Sequence, residues 1–421
     1  MYDPDRVDVG RVVAPPYDVI GPKDQQRYYQ QDPHNVVRLI AGEVKPGDSA
    51  DDNKYVRAAQ FFNRWLEEGI LRREDGPALY VYRHEFVDPT TDQPRSRQGI
   101  IGVVELQPFG TGILPHERTH ARAKADRLSL TRAVQANLSP IFALYEDRRS
   151  RTSELVARTL ADPARLSITS DDGDRHTVWT VRDPATVRGV TEVLAASRLY
   201  VADGHHRYET ALNFRNKMRL EHPEAPPDAA FNYVLMLLVD VTDPGLTILP
   251  THRVLHDIRE FDGGALERRL EERFPVSSYG DPRGLLQAMR EPSDGHRIGV
   301  ALDGSWLVVD IPRQAGGDPV SDLDVSVLHR EILQGLLGLE DDLVEEERHL
   351  SYSRDHDAIL DEVESGLAQA AFLLRPPAVA DVVAVASGGQ LMPQKSTYFY
   401  PKPASGIVFN PLQPGLRIPT I

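Results

Sequence analysis

The sequence contains no cysteine, which excludes disulfides, thiolate nucleophiles and cysteine-ligated zinc. It has no apolar run near the ~20 residues that cross a bilayer, and no charged-then-apolar opening of the signal-peptide kind. A cytoplasmic protein with no membrane partner is therefore expected. Positive charge is also short: 48 Lys and Arg stand against 63 Asp and Glu, a net charge of -15. General nucleic-acid binders draw their affinity from clustered Lys and Arg, so nucleic acid is not expected as a partner. An acidic protein can still take a small phosphate ligand where positive groups collect locally. The chain of 421 residues exceeds what one hydrophobic core usually holds, so two or three subdomains are expected. Nothing in the sequence marks the oligomeric state.

What the sequence does have is one stretch of concentrated chemistry, SRLYVADGHHRYETAL, from Ser197 to Leu212. The apolar run Leu199 to Ala202 predicts a strand that stops at Asp203-Gly204. A helix follows, opening with His205, His206, Arg207 and Glu209. Strand, glycine turn and helix N-terminus together make an anion site, because first-turn N–H groups lack intrahelical partners and the helix dipole favours negative charge. Arg207 can grip a phosphate bidentately, either histidine can hydrogen-bond or protonate it, and Asp203 can cap the helix, orient a histidine or hold a metal. The plain alternative is a helix cap with solvated charges.

In chain order, VGRVVAPPYDVI (Val9 to Ile20) is an apolar run that Pro15-Pro16 stiffens, so Tyr17 and Asp18 are presented at a fixed turn. Pro22 to Gln31 reads as a short helix, Asn35 to Ile40 as a strand, and Lys54 to Glu68 as an amphipathic helix. Ala78 to Val87 and Gly99 to Phe109 read as two strands around a polar connection, and from 99 to 218 strands and helices alternate in a mixed α/β pattern, with a helix from about Asp126 to Asn137 and an acidic turn over Ser167 to Asp174. After a proline-rich linker, Tyr233 to Val241 predicts a fully buried strand. A second turn at Thr251-His252-Arg253 repeats the pairing of a histidine with an arginine. Beyond it come helices, a hairpin around Asp303-Gly304, and a tail with strand character from Val379 onward. The expected divisions are an N-terminal α/β segment over 1–98, a phosphate-binding core over 99–220 and a C-terminal α/β region over 230–421.

Some strings point elsewhere. His116-Glu117-Arg118-Thr119-His120 spells HExxH, but zinc chemistry needs both histidines one turn apart on a helix, and this string follows Pro115 in a predicted loop. No metal site is expected. Gly389 with Lys395-Ser396 lacks the glycine a phosphate loop needs before its lysine, because Gln394 stands there. Lys395 could still donate to a phosphate from a closing tail.

VAPPYDVI, LPHERTHARAKADRLSL, QANLSPIFALY, ADGHHRYETAL, ILPTHRVL, LDVSVLH and MPQKSTYFYPKPASG, in that order, resemble the bacterial domain-of-unknown-function 1015 family over essentially the whole chain. The resemblance implies a leading segment shorter than is usual in the family, and it marks His120 as a local substitution. The middle of the chain is similar to the ParB/sulfiredoxin superfamily, above all to its free serine kinase branch. This implies a ParB/sulfiredoxin-like core with further α/β subdomains at both ends. It also implies that Asp203, Gly204, His205, His206 and Arg207 hold nucleotide phosphates, and that Pro115, His116 and Glu117 match a P-H-E box whose glutamate removes the serine proton. The activity implied is phosphoryl transfer between a nucleotide and serine, phosphoserine or a similar hydroxy compound, with ADP or ATP and Mg²⁺. Glu117, His205, His206 and Asp203 would be catalytic, and Tyr17, Asp18, His116, Arg253 and Lys395 would close the pocket. A phosphatase on the same residues and a nucleotide sensor without catalysis are the alternatives. A Glu117 more than about 8 Å from the phosphate turn would favour the sensor, since a general base must reach its proton directly or through one water.

Overall fold

The computed structural model describes residues 1–119, 121–313, 316–339 and 349–419. The chain forms two compact units, Met1–Thr247 with Pro401–Ile421, and Ile248–Tyr400. Both mix helices with sheets, as the α/β pattern of the sequence predicts.

The first unit opens with the one-turn helix α1 (Val9–Val12), then α2 (Pro22–Gln31), α3 (Val37–Ile40) and α4 (Lys54–Glu67). Asn53 caps α4 by accepting from the amides of Tyr55 and Val56, and the helix buries Ala58, Phe62 and Trp65, the face its apolar spacing predicts. Residues 35–40 were expected as a strand. They turn helical because Asn35, fully buried, accepts from the Val37 amide at 2.9 Å and donates to the carbonyl of Arg11 at 2.8 Å, closing a turn in place of an extended segment.

An eight-stranded sheet follows. Its strands are β1 (Leu79–Asp88), β2 (Gln93–Glu105), β3 (Ile113–Leu114), β5 (Ile141–Tyr145), β6 (Leu166–Thr169), β7 (Arg175–Val181), β8 (Leu199–Asp203) and β9 (Tyr233–Asp240), in the order β3-β8-β5-β9-β2-β1-β7-β6. The two-residue β4 (Ala136–Asn137) pairs apart from it with Asn410 and Pro411. Every residue of β5 is buried, and so are the six interior residues of β9, which is why both read as unbroken apolar runs. Helices α5 (Ala121–Val134), α6 (Arg151–Ala161), α7 (Pro184–Ala195) and α8 (His205–Glu221) connect the strands. Tyr208 and Ala211 of α8 pack on Ile113, Ala143, Val201 and Met236, and the Tyr208 hydroxyl donates to the Gln107 carbonyl at 2.6 Å. That packing fixes the start of α8 against the end of β8.

Two expected boundaries do not hold. β2 runs through residue 98, and its neighbour β1 lies in the same sheet as β5, β8 and β9. The expected boundary at 98 therefore falls inside a strand of the sheet that carries the core, and residues 1–98 lie in the same compact unit as that sheet. The expected C-terminal region also divides, since Tyr233–Asp240 and residues from Pro401 onward belong to the first unit.

The second unit begins at Ile248, inside β10 (Thr247–Leu249), and is built on a six-stranded antiparallel sheet. Its strands are β11 (His252–Leu255), β12 (Val276–Tyr279), β13 (His296–Leu302), β14 (Ser305–Ile311), β15 (Leu350–Ser353) and β16 (Ala370–Leu373), in the order β12-β14-β13-β16-β11-β15. Period-two alternation gives the sheet two apolar faces. Ile298, Val300, Leu307 and Val309 meet Leu266 and Leu270 of α9 (Gly263–Arg273) on one side. Ala301, Trp306 and Val308 meet Leu285 of α10 (Pro282–Met289) on the other. The tail from Val379, expected to be extended, forms a helix over Val379–Ser387. Val382, Val385 and Ala386 fall on one buried face, and Asp381 accepts from the Ala378 amide at 2.8 Å to close the first turn. Among the described residues, no helix is long and apolar enough to cross a membrane.

Candidate functional site

β8 ends at Asp203, Gly204 turns with φ +97, and α8 starts at His205. A Cβ at Gly204 would lie 3.1 Å from the Arg207 guanidinium, so the turn needs glycine both for its backbone and for the space beside it. Of the roles open to Asp203, capping is not the one it takes, since no side chain caps α8. Asp203 is committed instead to two cations. One carboxylate oxygen accepts from Lys402 Nζ at 2.7 Å, and the other accepts from Arg207, which also donates to the Pro140 carbonyl. Lys402 donates in turn to Asp18. Burial alone would raise the Asp203 carboxyl, but Lys402 and Arg207 outweigh it and hold it at about 2. Burial alone would lower the Lys402 ammonium, yet Asp203 and Asp18 hold it above the ordinary lysine value.

Three distant stretches are joined to make this hub. The Ser405 amide donates to the Ala14 carbonyl at 2.8 Å, and the hydroxyls of Ser405 and Ser139 meet at 2.6 Å. These ties set Tyr17 and Asp18, the 137–140 turn and Lys402 around Asp203. The Tyr17 ring lies under the Arg127 guanidinium at 3.8 Å, and Arg127 donates to the Ile40 carbonyl and pairs with Asp126.

The second half of the site is a pair of buried histidines. The His116 Nδ1–H donates to the Val201 carbonyl at 2.8 Å, which anchors the loop to β8. Its backbone N–H donates to His205 Nε2 at 3.3 Å, and the two rings meet edge to face at 4.7 Å. An accepting Nε2 fixes the neutral tautomer of His205, so its proton is on Nδ1. Nδ1 faces Glu117 Oε2 at 3.8 Å. Burial pushes His116 down to about 4 and, with His116 adding repulsion, His205 well below its usual value. Both are therefore neutral at pH 7. Glu117 keeps 31% of its side chain exposed, so it is the open member of the group. One turn along α8, Glu209 accepts from Thr119 at 2.8 Å and from Lys124 at 2.6 Å, tying the loop end to the helix.

The structure thus brings together Tyr17, Asp18, His116, Glu117, Asp203, Gly204, His205 and Arg207, with the half-buried His206 beside them in the first turn of α8. Arg253 and Lys395 belong to the second unit; Arg253 donates to the carbonyls of Thr251 and Gln394, and Lys395 is exposed. Pro115 to Thr119 is not helical, so the one-turn spacing that zinc would need is not formed by these residues, and His120 lies outside the described residues. Among the described residues no three His, Asp or Glu side chains are grouped as a metal set. Sequence reasoning missed Lys402, Arg127 and Lys124, and it placed Glu209 in the helix opening without its tie to Thr119 and Lys124. The available signal for Lys402 was its position between Pro401 and Pro403, which stiffens the backbone on either side of one cation.

Residues 1–326 match the family model described as Protein of unknown function (DUF1015). The chain belongs to that family. Over 175 residues this DUF1015 protein is 25% identical to 1-deoxy-D-xylulose-5-phosphate synthase of Heliobacterium modesticaldum (strain ATCC 51547 / Ice1), a stretch that covers 38% of this chain and 26% of that one. The chain therefore spans well under half the length of that curated relative. Among solved structures it is similar to a free serine kinase in complex with AMP, at 12% identity and a TM-score of 0.35, covering 71% of this chain and 86% of that one. It is also similar to SbnI with C-terminal truncation from Staphylococcus aureus, at 11% identity and a TM-score of 0.34, covering 72% and 84%.

Proposed function

We propose that this protein is a phosphoryl-transfer enzyme that passes phosphate between a nucleotide and serine, phosphoserine or a similar small hydroxy compound, with the phosphates received at the β8–α8 turn. The observation that carries this reading is the 3.8 Å approach of Glu117 to His205, far inside the distance at which sensing would be favoured. A sensor has no use for a half-open carboxylate facing a phosphate turn, whereas transfer to a hydroxyl needs a base.

Each residue has a role that follows from its surroundings. Arg207 and Lys402 are held in place by Asp203, and an arriving phosphate competes with that carboxylate for their N–H groups. The first-turn amides of α8 add dipolar attraction. Glu117 accepts the proton of the attacking hydroxyl while the new O–P bond forms and the bond from phosphorus to the nucleotide oxygen breaks. Neutral His205 keeps its Nδ1–H toward Glu117, and His116 fixes that orientation by bonding Nε2. His206 stabilises the transferring group, and Tyr17 and Asp18 stand beside it. ADP or ATP is the expected donor. Mg²⁺ would supply charge neutralisation and be carried chiefly on phosphate oxygens, since both Asp203 oxygens already face cations.

The test is thermal-shift and calorimetric binding of ADP, ATP, AMP and phosphoserine with Mg²⁺ on wild type, Arg207→Ala and Glu117→Gln, followed by a turnover assay with serine. Saturating nucleotide should raise Tm by several degrees in wild type and much less in Arg207→Ala. Glu117→Gln should keep the binding and lose turnover by about 100-fold or more. No Tm rise with any nucleotide would sink the kinase reading. Phosphoserine stabilisation with phosphate release would then turn the same site into a phosphatase.

A further inference from the structure

In the second unit, Arg253 on β11 is 4% exposed, yet no carboxylate among the described residues pairs with it. Its guanidinium donates to the carbonyls of Thr251 and Gln394 and stands over the Tyr352 ring at 5.1 Å. Other arginines of the unit are treated differently. Arg375 meets Asp324 at 3.0 Å, Arg313 meets Asp322 at 2.8 Å, Arg297 meets Asp310 at 2.8 Å, and Arg273 pairs with Glu331 at 2.5 Å. Each of those side chains is more exposed than Arg253. Folding normally pairs a buried charge, so a buried cation with no carboxylate partner among the described residues is a place where a bound anion would be favoured. Carbonyl dipoles and a ring face orient the guanidinium without cancelling its charge.

Arg253 forms part of the wall of a cavity of about 260 Å³. The apolar wall is Val325, Leu328, Leu333 and Leu350, and the polar one includes Ser326 and His329. The Ser326 hydroxyl is buried without a hydrogen-bond partner, a second polar group that folding has left unmet beside the same cavity. His329 belongs to Leu328–Gln334, which is wound as a π-helix, a rare conformation that is frequent at functional sites.

We propose that this cavity binds a small organic monocarboxylate with an apolar body, its carboxylate on Arg253 and Ser326 and its chain against Leu328, Leu333 and Leu350. The charge count selects the ligand class. Among the described lining residues Arg253 is the one Lys or Arg, so a single negative charge is matched while a phosphate dianion brings one more than they supply. Two of the five guanidinium N–H groups are taken by carbonyls, which leaves donors for a bidentate carboxylate. The volume falls just below the usual range of ligand pockets, about 300–1,000 Å³, which suits a short chain. This site is independent of the phosphoryl-transfer reading.

The experiment titrates the full-length, methyl-labelled protein with hexanoate, acetate, hexanol and inorganic phosphate. Hexanoate should shift the methyls of Val325, Leu328, Leu333 and Leu350 saturably. Acetate should bind at least tenfold more weakly, since each buried methylene contributes about a fourfold gain. Arg253→Met should weaken hexanoate at least tenfold. Hexanol on wild type makes the same comparison without a variant, and should also be at least tenfold weaker. Hexanol binding as well as hexanoate, phosphate shifting these methyls where hexanoate does not, or hexanoate shifting only methyls elsewhere or none would each overturn the proposal.

Discussion

Asp203 is a buried carboxylate held by two cations, and the energetics of the site turn on that arrangement. Removing one member of a buried pair leaves its partner uncompensated, which costs about 3–5 kcal/mol. Lys402 has 9% of its side chain exposed, so Lys402→Met should lower the unfolding free energy by that amount in urea titrations. Adding Asp203→Asn should recover part of the loss, because the double variant leaves one charge fewer unmatched. A loss under about 1 kcal/mol, the size of a surface ion pair, would remove Lys402 from its tying role. At this scale the sequence was only partly legible. Arg207 and Glu117 stand in dense local motifs, and the turn chemistry picks them out. Lys402 does not: Lys395, flanked by Ser396 and Thr397, looks the better phosphate donor, and nothing local records that Lys402 meets Asp18 across 384 residues.

The strand–turn–helix from Leu199 to Glu221 is the most legible element, because an apolar run, an Asp-Gly stop and a new helical period each leave a local mark. Its weak point is Gly204. Gly204→Ala should cost about 1–2 kcal/mol for the left-handed backbone alone. Its Cβ would also push Arg207 aside, so the Tm rise given by ADP should shrink with the stability. An alanine variant as stable as wild type and equally lifted by ADP would mean that the turn relaxes freely. Elements failed where side-chain bonds overrode propensity. Asn35 to Ile40 has the apolar, β-branched look of a strand, but the buried Asn35 amide bends it into a turn. The valines of Val379–Ser387 likewise favour strand, yet their three- and four-residue spacing lets one face bury as a helix.

Across the molecule, buried histidines set the response to acid. Burial lowers all of His84, His116, His176 and His205 in the first unit and His252 in the second, to about 4 for His116 and about 3 for His176 and His252. Unfolded, each would titrate near 6.5. Between about 6.5 and 4 the unfolded chain therefore binds more protons than the folded one, and stability falls as pH falls. Asp174 opposes this. Burial and Asp172 push it up to about 6, so its folded form holds a proton that the unfolded form releases above 3.8. Asp243, raised by burial, acts in the same sense as Asp174. Five histidines outweigh two carboxylates, and the urea midpoint should be lower at pH 5 than at pH 7.5. An equal or higher midpoint at pH 5 would mean that the histidines take protons without unfolding.

The arrangement of the two units also governs when the hub can exist. All of Ile248–Tyr400 separates Asp203 from Lys402 along the chain. A ribosome adding ~5–20 residues per second leaves Asp18 and Asp203 waiting on the order of ten seconds or more for the lysine that joins them. Until it emerges, both carboxylates lack the ammonium that they share in the folded protein. The site is thus closed by one of the last events of synthesis, and a chain cut anywhere between Asp203 and Lys402 would lose the ammonium that neutralises it.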